Sequence, residues 1–401
     1  MDLRSGQPFW LLKNGIIATY PALDADLTCA VAVIGGGITG ALVTYTLVKQ
    51  GIDVVVLDKR DIAWGSTSAS TAMLQYEIDT ELHQLIDLVG VSNAVRSYQV
   101  GVEALRSLEE VAHEVGLGGE FQKSESIYAT RYRRHLRRLQ TEYAVRKAHG
   151  FDVRYVEQDE LKEQYGVHAY AAIVSAQAAS VDSYALTYAL FASSKLYGAR
   201  IFDRTQVTKI QQTDEGITLH TDRNCTVRAA KVVFATGYES EQYLKQTVAD
   251  LHSTFALVSE PSAMAQAMKS QYLLWETARP YFYLRTTTDN RLILGGEDEP
   301  FRNPEKRDRL IEKKSKRLLK LFKEFYPSFP EPEIAYAWAG TFGETKDGLP
   351  YIGESPEMAN AYFTLGYGGN GITYSMIAAE IVRDLYLGRP NPGAELFRFG
   401  R

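Results

Sequence analysis

The sequence predicts an α/β protein organised around a βαβ unit, with further strands and helices elsewhere in the chain. Three observations in residues 31–58 predict this class: a short apolar β-branched run, a Gly-x-Gly-x-x-Gly turn, and a second apolar run that ends on an acidic residue. Strand, glycine turn, helix, strand and acid, in that order, are the context of a dinucleotide-binding fingerprint. The sequence therefore favours a bound dinucleotide over a degenerate turn that binds nothing.

The first predicted strand is 31–34, and a predicted helix over 41–50 follows the glycine turn. The first glycine of the motif permits a tight turn, the second lets the main chain approach a pyrophosphate, and the third allows the helix to pack closely on the strand. The pyrophosphate would lie at the helix N-terminus, where free N–H groups and the dipole favour an anion. The turn residues predicted to bind the cofactor are Gly35, Gly37, Ile38, Thr39 and Gly40.

The second predicted strand, 53–57, ends at Asp58, which lies 18 residues after Gly40. A carboxylate at about this distance is expected to meet ribose hydroxyls. Asp58 would repel a 2′-phosphate, which argues against NADP and leaves NAD and FAD. Lys59 follows directly and is included in the predicted cofactor site.

Length and composition limit the remaining possibilities. The 401 residues suffice for roughly two to three domains, and the net charge of −5 gives no indication of nucleic-acid binding. The two cysteines form neither a disulfide framework nor a Cys-x-x-Cys pair, and the N-terminus lacks the apolar core of a secretory signal. Residues 29–48 are uncharged, but their central glycines predict a strand and a helix rather than a membrane span. We therefore expect a cytoplasmic protein.

Small and hydroxyl-bearing residues fill the segment 65–72, which follows the second strand. A flexible loop is one interpretation. A segment pressed against a flat cofactor is favoured, because small side chains leave room for it. Ser66 and Thr67 are the candidate contacts.

Two basic segments, 131–149 and 305–326, are predicted to be helices. For the first, a solvated face is favoured, and a docking surface for an acidic partner or lipid head groups is the alternative. Apolar residues of the second form one stripe, which predicts a helix lying across a sheet. Segment 80–115 also has helical apolar spacing. Docking of a basic segment on an acidic partner or on lipid head groups stays open, as does the oligomeric state.

The middle of the chain reads mainly as strands, with 253–259, 281–285 and 291–294 predicted to form a separate sheet and a hairpin at 289–290. Tyr281, Tyr283 and Arg285 are alternate residues, so they share one face of a strand. An arginine beside tyrosine hydroxyls suits a substrate carboxylate, and an exposed arginine on a surface strand is the alternative. No group of His, Cys, Asp and Glu has convincing metal-ligand spacing.

The chain ends as it begins, with a strand at 362–365, a glycine-rich turn at 366–371 and a long apolar helix at 372–387. A second helix N-terminus aimed into the cofactor site would favour negative charge there. Tyr367, within this turn, is a candidate for lining the substrate pocket, with simple packing as the alternative.

Several motifs in the same order resemble the FAD-dependent D-amino acid oxidase superfamily, in particular its glycine, sarcosine and γ-glutamylputrescine oxidase branch. Besides the N-terminal fingerprint, the segment 65–73 and the final glycine turn, they are Ala235-Thr236-Gly237, Trp338-Ala339-Gly340 and Asp347-Gly348-Leu349-Pro350-Tyr351-Ile352-Gly353. The resemblance implies a Rossmann-like FAD domain of the glutathione-reductase type, interleaved with a substrate domain of antiparallel sheet and helices. The implied FAD domain comprises 1–90, 170–250 and 336–401, and the implied substrate domain 91–169 and 251–335.

The resemblance also implies further contacts with FAD. Val207 would meet the adenine through its backbone, and Gly237 would close the site. Gly369 and Gly371, with Asn370 between them, would present N–H groups to the flavin. Some relatives attach FAD through a cysteine or a histidine, but Gly340 and Ala69 stand near those positions here, so the FAD is expected to be non-covalent.

The implied reaction removes a hydride from the carbon beside an amine or amino acid nitrogen and delivers it to flavin N5. The resulting imine hydrolyses, and dioxygen is the expected acceptor. Sarcosine-type relatives carry a lysine in the last glycine segment where Thr373 stands here, which argues against a small N-methyl amino acid as substrate. Two alternatives stay open: a dehydrogenase that passes electrons to a quinone or carrier protein, and a flavin-binding module without catalysis.

Overall fold

Two β-sheets organise the chain. The computed structural model describes residues 2–213, 216–245, 247–268 and 272–401. Its strands are β1 (Leu27–Ile34), β2 (Val54–Leu57), β3 (Met73–Gln75), β4 (Gln122–Thr130), β5 (Val153–Glu157), β6 (Ala171–Ser180), β7 (Arg200–Phe202), β8 (Val207–Thr213), β9 (Gly216–Thr221), β10 (Thr226–Phe234), β11 (Asp250–Ser259), β12 (Tyr272–Glu276), β13 (Phe282–Thr286), β14 (Leu292–Pro300), β15 (Ile334–Glu344), β16 (Tyr351–Ser355) and β17 (Met358–Leu365).

The helices cover both sheets and connect their strands. They are α1 (Phe9–Asn14), α2 (Ile38–Val48), α3 (Ser66–Ala69), α4 (Leu82–Val89), α5 (Val91–Glu114), α6 (Leu136–Ala148), α7 (Gln158–Tyr165), α8 (Ser183–Leu196), α9 (Ala263–Ala267), α10 (Pro304–Arg309), α11 (Ile311–Phe325), α12 (Gly371–Tyr386) and α13 (Ala394–Phe397). Short 3₁₀ helices occupy Gly118–Glu120, Arg133–His135 and Gly237–Tyr243.

The first sheet is the predicted dinucleotide-binding sheet. Its strand order is β16-β17-β10-β1-β2-β7, with β9 on the other part of β10 and β8 beside β9. Strands β17, β10, β1, β2 and β7 run parallel. Because β1 and β17 are parallel to the same strand, the glycine turns that follow them lie at the same edge of the sheet. The predicted α/β class is confirmed.

The second sheet has the order β15-β11-β14-β13-β12-β4-β6-β3, with β5 beside β6. Most of its pairs are antiparallel, and β12 with β4 is parallel. The predicted hairpin joins β13 to β14, where Asn290 has a φ of +61°. Helix α11 packs on β11, β14 and β15. Its own residues Leu318, Phe322 and Phe325 are buried on the side that faces the sheet. This confirms the predicted helix lying across a sheet.

The expected domain boundaries differ from the sheet memberships in three places. Strands β3, β6 and β15 were expected in the FAD domain, wholly or mostly, but they belong to the second sheet. Strand β6 pairs with β4 along nearly its whole length, and the chain returns to the first sheet only after it. A strand pattern is local, so it does not reveal which sheet supplies the partner. The division into two domains otherwise stays a prediction.

The first basic segment is not simply a solvated face. Arg146 is fully buried, and its Nε donates to Glu142 Oε1 at 2.6 Å. Burial by itself raises the pKa of Glu142, but the charge of Arg146 and hydrogen bonds from His83 outweigh it and lower that pKa to about 2. The predicted solvated face is therefore wrong at this position, because acidic residues inside the protein receive the charge. Among the described residues, no helix is both long and apolar enough to cross a bilayer.

Candidate active site

A single cavity of about 570 Å³ is lined by residues from both sheets. Most of the cofactor and substrate residues predicted from the sequence line this cavity. The predicted cofactor residues that line it are Gly35, Gly37, Ile38, Thr39, Asp58, Lys59, Ser66, Thr67, Val207, Gly237, Gly369, Asn370 and Gly371. The predicted substrate residues that line it are Tyr281, Tyr283 and Tyr367, whereas Gly40 and Arg285 lie outside.

The first glycine turn brings the main chain close to its neighbours. Gly35 has a φ of +113°, and a Cβ on it would stand 2.3 Å from the Ala235 carbonyl oxygen. A Cβ on Gly40 would stand 1.9 Å from the Gly35 oxygen. Gly40 therefore serves the close approach of helix to turn, and it stays behind the cavity wall.

Helix α2 begins at this turn with its N-terminus toward the cavity. The first N–H groups of a helix have no partner within it. One of them, on Ile38, donates to Thr67 Oγ1 at 3.0 Å. We call residues 65–72 the hydroxyl segment. Through Thr67 this segment supports the turn directly, which explains why a hydroxyl residue stands at that point of the sequence.

Asp58 stands at the end of β2 and fastens the turn. Its Oδ2 accepts the Gly36 N–H at 2.6 Å, and its Oδ1 accepts the Arg60 N–H at 2.7 Å. Burial raises the pKa of Asp58 to about 6, although these two hydrogen bonds work in the opposite direction. Each carboxylate oxygen keeps a further acceptor position, so the side chain can still receive hydroxyl groups.

An ion-pair cluster that the sequence reasoning missed closes the same end of the cavity. Glu239, in the 3₁₀ helix after β10, accepts from Lys59 at 2.8 Å and from Arg60 at 3.1 Å. Burial raises the pKa of Glu239, but hydrogen bonds from Arg60 and Lys59 outweigh it and lower that pKa to about 2. An acid shortly after the Ala-Thr-Gly motif was the available signal.

The hydroxyl segment forms the short helix α3 and its flanks, with two tryptophans holding it in place. Trp338 Nε1 donates to the Ala69 carbonyl at 2.8 Å, and Trp10 Nε1 donates to the Ser70 carbonyl at 2.7 Å. Ser66 Oγ is buried in the cavity wall without a hydrogen-bond partner among the described residues. A buried hydroxyl without a partner is costly, so this atom is suited to a ligand oxygen.

The second glycine turn brings the N-terminus of α12 to the cavity. Gly366 and Gly368 have φ values of +78° and +55°. Asn370 Nδ2 donates to the main-chain oxygens of Gln75 and Glu77, at 3.0 and 2.8 Å. The Asn370 side chain therefore fixes the turn to the chain after β3, and Gly369, Asn370 and Gly371 line the cavity at the start of the helix.

Two tyrosines stand across the cavity from this turn. The ring centroids of Tyr281 and Tyr283 are 5.8 Å apart. Burial raises the pKa of Tyr283 to about 12 and raises that of Tyr281 as well. A Cβ on Gly369 would stand 3.5 Å from the Tyr281 hydroxyl oxygen. The neutral Tyr281 hydroxyl is thus placed beside the start of α12.

Arg285 has a different environment from the one expected. It shares a strand face with the tyrosines, but its side chain is buried beyond the cavity. Its Nη1 donates to the carbonyls of Thr71, Ala72 and Val181, and its Nε donates to that of Thr286. The predicted contact with a substrate carboxylate is therefore wrong, because main-chain oxygens already occupy the guanidinium.

Sequence reasoning also missed charged residues near the tyrosines. Glu77 and Asp79, in the chain after β3, both line the cavity. Arg279 donates to the Asp79 carbonyl at 3.0 Å and to Asp79 Oδ1 at 3.3 Å, and it lies 4.7 Å from the centre of the Tyr281 ring. These residues stand in loops without periodicity, so no pattern indicated them.

A cluster of two glutamates and a histidine lies outside the cavity. Ligand atoms of Glu81, His83 and Glu142 lie within 4.8 Å of one another. The Glu81 carboxylate already accepts from Tyr128 and Arg138. His83 Nδ1 lies 2.9 Å from Glu142 Oε2. The carboxylates are thus satisfied by cations and hydroxyls of the protein itself.

The parallel sheet and two glycine turns, each followed by a helix N-terminus at one cavity, define a dinucleotide-binding protein with a second sheet that lines the same cavity. The family model described as FAD-dependent oxidoreductase (DAO) matches residues 30–385, and the chain belongs to this family. The resemblance inferred from the motifs is confirmed, and so is FAD as the cofactor.

Similar proteins agree with this assignment. The γ-glutamylputrescine oxidoreductase of Escherichia coli K12 is 24% identical over 392 residues, covering 92% of this chain and 86% of that protein. The glycine oxidase of Bacillus subtilis is 25% identical over 365 residues, covering 89% and 92%. The solved glycine oxidase of Geobacillus kaustophilus superposes with a TM-score of 0.79 at 21% identity, covering 94% and 99%. The L-proline dehydrogenase of P. horikoshii gives 0.78 at 19%, covering 93% and 97%.

Proposed function

We propose that this protein oxidises a carbon–nitrogen bond of an amine or amino acid with non-covalently bound FAD. The observation that carries the proposal is one cavity that runs from Asp58 to Tyr281 and Tyr283, with both helix N-termini on its wall. FAD bound there supplies flavin N5 as the hydride acceptor, and the imine left on the substrate hydrolyses to a carbonyl compound. Two of the relatives, a glycine oxidase and a γ-glutamylputrescine oxidoreductase, support an amine or amino acid as the substrate class.

Different residues along the cavity would contact different parts of FAD. The turn around Gly37 and the N-terminus of α2 would hold the pyrophosphate, and Asp58 would hold the adenosine ribose. The Val207 backbone would meet the adenine, with Gly237 beside it. Ser66 and Thr67 would contact the phosphates or the flavin. The N–H groups of Gly369 and Gly371 would face the flavin pyrimidine, with the side chain of Asn370 holding the turn between them.

The other wall would hold and orient the substrate. The Tyr281 and Tyr283 hydroxyls are neutral at physiological pH and can each donate or accept a hydrogen bond. Trp275 and Phe342 line the same cavity and give it apolar surface. The helix dipole of α12 favours the negative charge that the cofactor gains on reduction.

Anaerobic reduction tests the function. The purified holoenzyme is mixed with amines and amino acids without oxygen, and loss of the visible flavin band is recorded. We expect at least one class of amine to bleach the flavin. A flavin that no compound in a broad panel reduces would indicate the non-catalytic module instead.

The acceptor is tested separately. Air is admitted to the reduced enzyme, and flavin reoxidation is followed together with peroxide. Rapid reoxidation with one peroxide per flavin supports dioxygen as the acceptor. Slow reoxidation in air, with rapid reoxidation by a soluble quinone, would assign a dehydrogenase.

The attachment of FAD is tested by denaturation. No cysteine follows Cys225 in the sequence, and Cys225 does not line the cavity. We therefore expect acid denaturation to release all flavin into the supernatant. Flavin that sediments with the protein would contradict non-covalent binding.

A further inference from the structure

The charges along the cavity are unevenly distributed. The charged residues at the adenosine end are Asp58, Lys59, Arg60 and Glu239. We call the opposite part, lined by Glu77, Asp79, Trp275, Tyr281 and Tyr283, the tyrosine end. Among the residues that the structure describes, no lysine or arginine lines the tyrosine end, whereas two carboxylates do. Arg279, which lies beside this wall, is already paired with Asp79.

Asp79 directs one oxygen into the tyrosine end. Its Oδ1 faces Arg279 at 3.3 Å. Its Oδ2 lies 3.3 Å from the position that a Cβ on Gly369 would take, beside the Tyr281 hydroxyl. Arg279 therefore holds one oxygen from outside, and the other oxygen faces the glycine turn.

Glu77 supplies a second, independent sign of a ligand. Its side chain is 2% exposed, and its Oε2 has no hydrogen-bond partner among the described residues. Arg146 approaches the other oxygen at only 3.4 Å. A buried carboxylate oxygen without a donor costs stability unless a ligand supplies one. An ammonium group has three donors and no acceptor, so it matches this oxygen.

The aromatic wall favours the same chemistry. Trp275, Tyr281 and Tyr283 line the tyrosine end, and the face of an aromatic ring attracts a cation. Behind them, Asp298 Oδ1 is buried and has no partner among the described residues. Carboxylates and ring faces together repel a carboxylate and attract a positive charge.

We propose that the substrate is an amine with a second positively charged group, and that Asp79 and Glu77 receive this distal cation. This inference rests on the proposed function, and it narrows the substrate class from amines and amino acids to diamines and their cationic derivatives. Asp79 acts here as a specificity-determining residue, since it recognises the end of the substrate that does not react.

Matched compounds test the proposal. Diaminobutane, butylamine and γ-aminobutyrate carry a positive, a neutral and a negative distal group on the same chain length, and three- and five-carbon homologues remove dependence on length. The rate of anaerobic flavin reduction is measured against concentration. We expect kcat/KM for diamines to exceed that for monoamines by about tenfold or more, since a hydrogen bond to a charged group is worth that much. Amino acids should react most slowly.

Variants assign the effect to the residue. Asp79→Asn should reduce the diamine preference over the monoamine by about tenfold, mainly through KM, and Asp79→Glu should restore part of it. Asp87→Asn is the matched control, because Asp87 is exposed on α4 and lies away from the cavity. A second readout is the melting temperature of the anaerobic holoenzyme, which diamines should raise more than amino acids do.

The outcomes separate the two proposals. If no compound reduces the flavin, the proposed function fails. If amino acids react faster than diamines, the function stands and the cation site is refuted, and loss of that preference in Arg279→Ala would assign carboxylate binding to Arg279. A diamine preference that Asp79→Asn leaves unchanged would refute the role of Asp79. The wild-type series decides the substrate class even if a variant fails to fold.

Discussion

Replacing Arg285 with alanine should destabilise the protein rather than weaken its binding of an acidic substrate. The guanidinium is buried and donates to main-chain oxygens on both sides of it. Two of these oxygens belong to Thr71 and Ala72, in the segment that forms the cavity wall. The side chain therefore holds the hydroxyl segment against β13, and alanine would leave the carbonyl groups without a donor.

The size of the effect follows from these contacts. Nη1 approaches three carbonyls but carries two hydrogens, so Nε and Nη1 together make about three full hydrogen bonds. Charge-assisted bonds of this kind contribute about 2 kcal/mol each. Burial lowers the pKa of Arg285 to about 10, which corresponds to a desolvation cost of about 3 kcal/mol. We therefore expect Arg285→Ala to reduce the free energy of unfolding by about 3 kcal/mol.

Thermal melting of the holoenzyme, followed by flavin release, measures this loss. Arg154→Ala is the control, because Arg154 is half exposed and its ion pairs are at the surface, where they contribute less than about 1 kcal/mol. Arg285→Lys keeps the charge but has no planar fork, so it should recover only part of the stability. An Arg285→Ala enzyme with unchanged melting and a raised KM confined to acidic substrates would refute this reasoning.

Three further predictions concern the cofactor site and acid stability. Gly40→Ala would place a Cβ 1.9 Å from a main-chain oxygen and should give protein that purifies without flavin, whereas Gly119→Ala, with open space around it, should keep full flavin content. Asp58→Asn should weaken FAD binding by about tenfold in titrations of apoprotein, because a carboxylate acceptor is lost. Glu142, with its pKa lowered to about 2, stabilises the fold above its unfolded pKa and loses this effect as the pH falls toward 2. Glu142→Gln should therefore flatten the pH dependence of melting between these values, and Glu395→Gln should not.

Local patterns were sufficient to predict the two strand–glycine turn–helix units of the first sheet. The strand, turn and helix at 31–50 depend on steric demands within a few residues, and Gly35 and Gly40 show those demands directly as backbone contacts that a Cβ would disrupt. The membership of β6 in the second sheet depends on β4, some fifty residues earlier in the chain. Pairing at that separation leaves no periodic signal in one sequence.

The candidate site, too, could be predicted from the sequence only in part. Alternation correctly placed Tyr281, Tyr283 and Arg285 on one face, but it could not show that the segment at 71–72 covers one end of that face. Asp79 was missed because its chemistry comes from its position beside Gly369, which is distant in sequence. An arginine among tyrosines is therefore weak evidence for carboxylate binding until the neighbouring layer is known.

The helix N-termini and the facing wall of the cavity favour opposite charges, and the fold accounts for this polarity. Strands β1 and β17 are parallel to the same strand, so α2 and α12 both begin at the same edge of the sheet. Thr39 Oγ1 and Ser375 Oγ, 2.7 Å apart, join the first turns of these helices. Two positive dipole ends are thereby fixed side by side where the cofactor would carry or gain negative charge. The second sheet contributes the facing wall with its carboxylates and ring faces. FAD held at these helix N-termini would keep its negative charge beside them, and the carboxylates of the facing wall would stand on the substrate side.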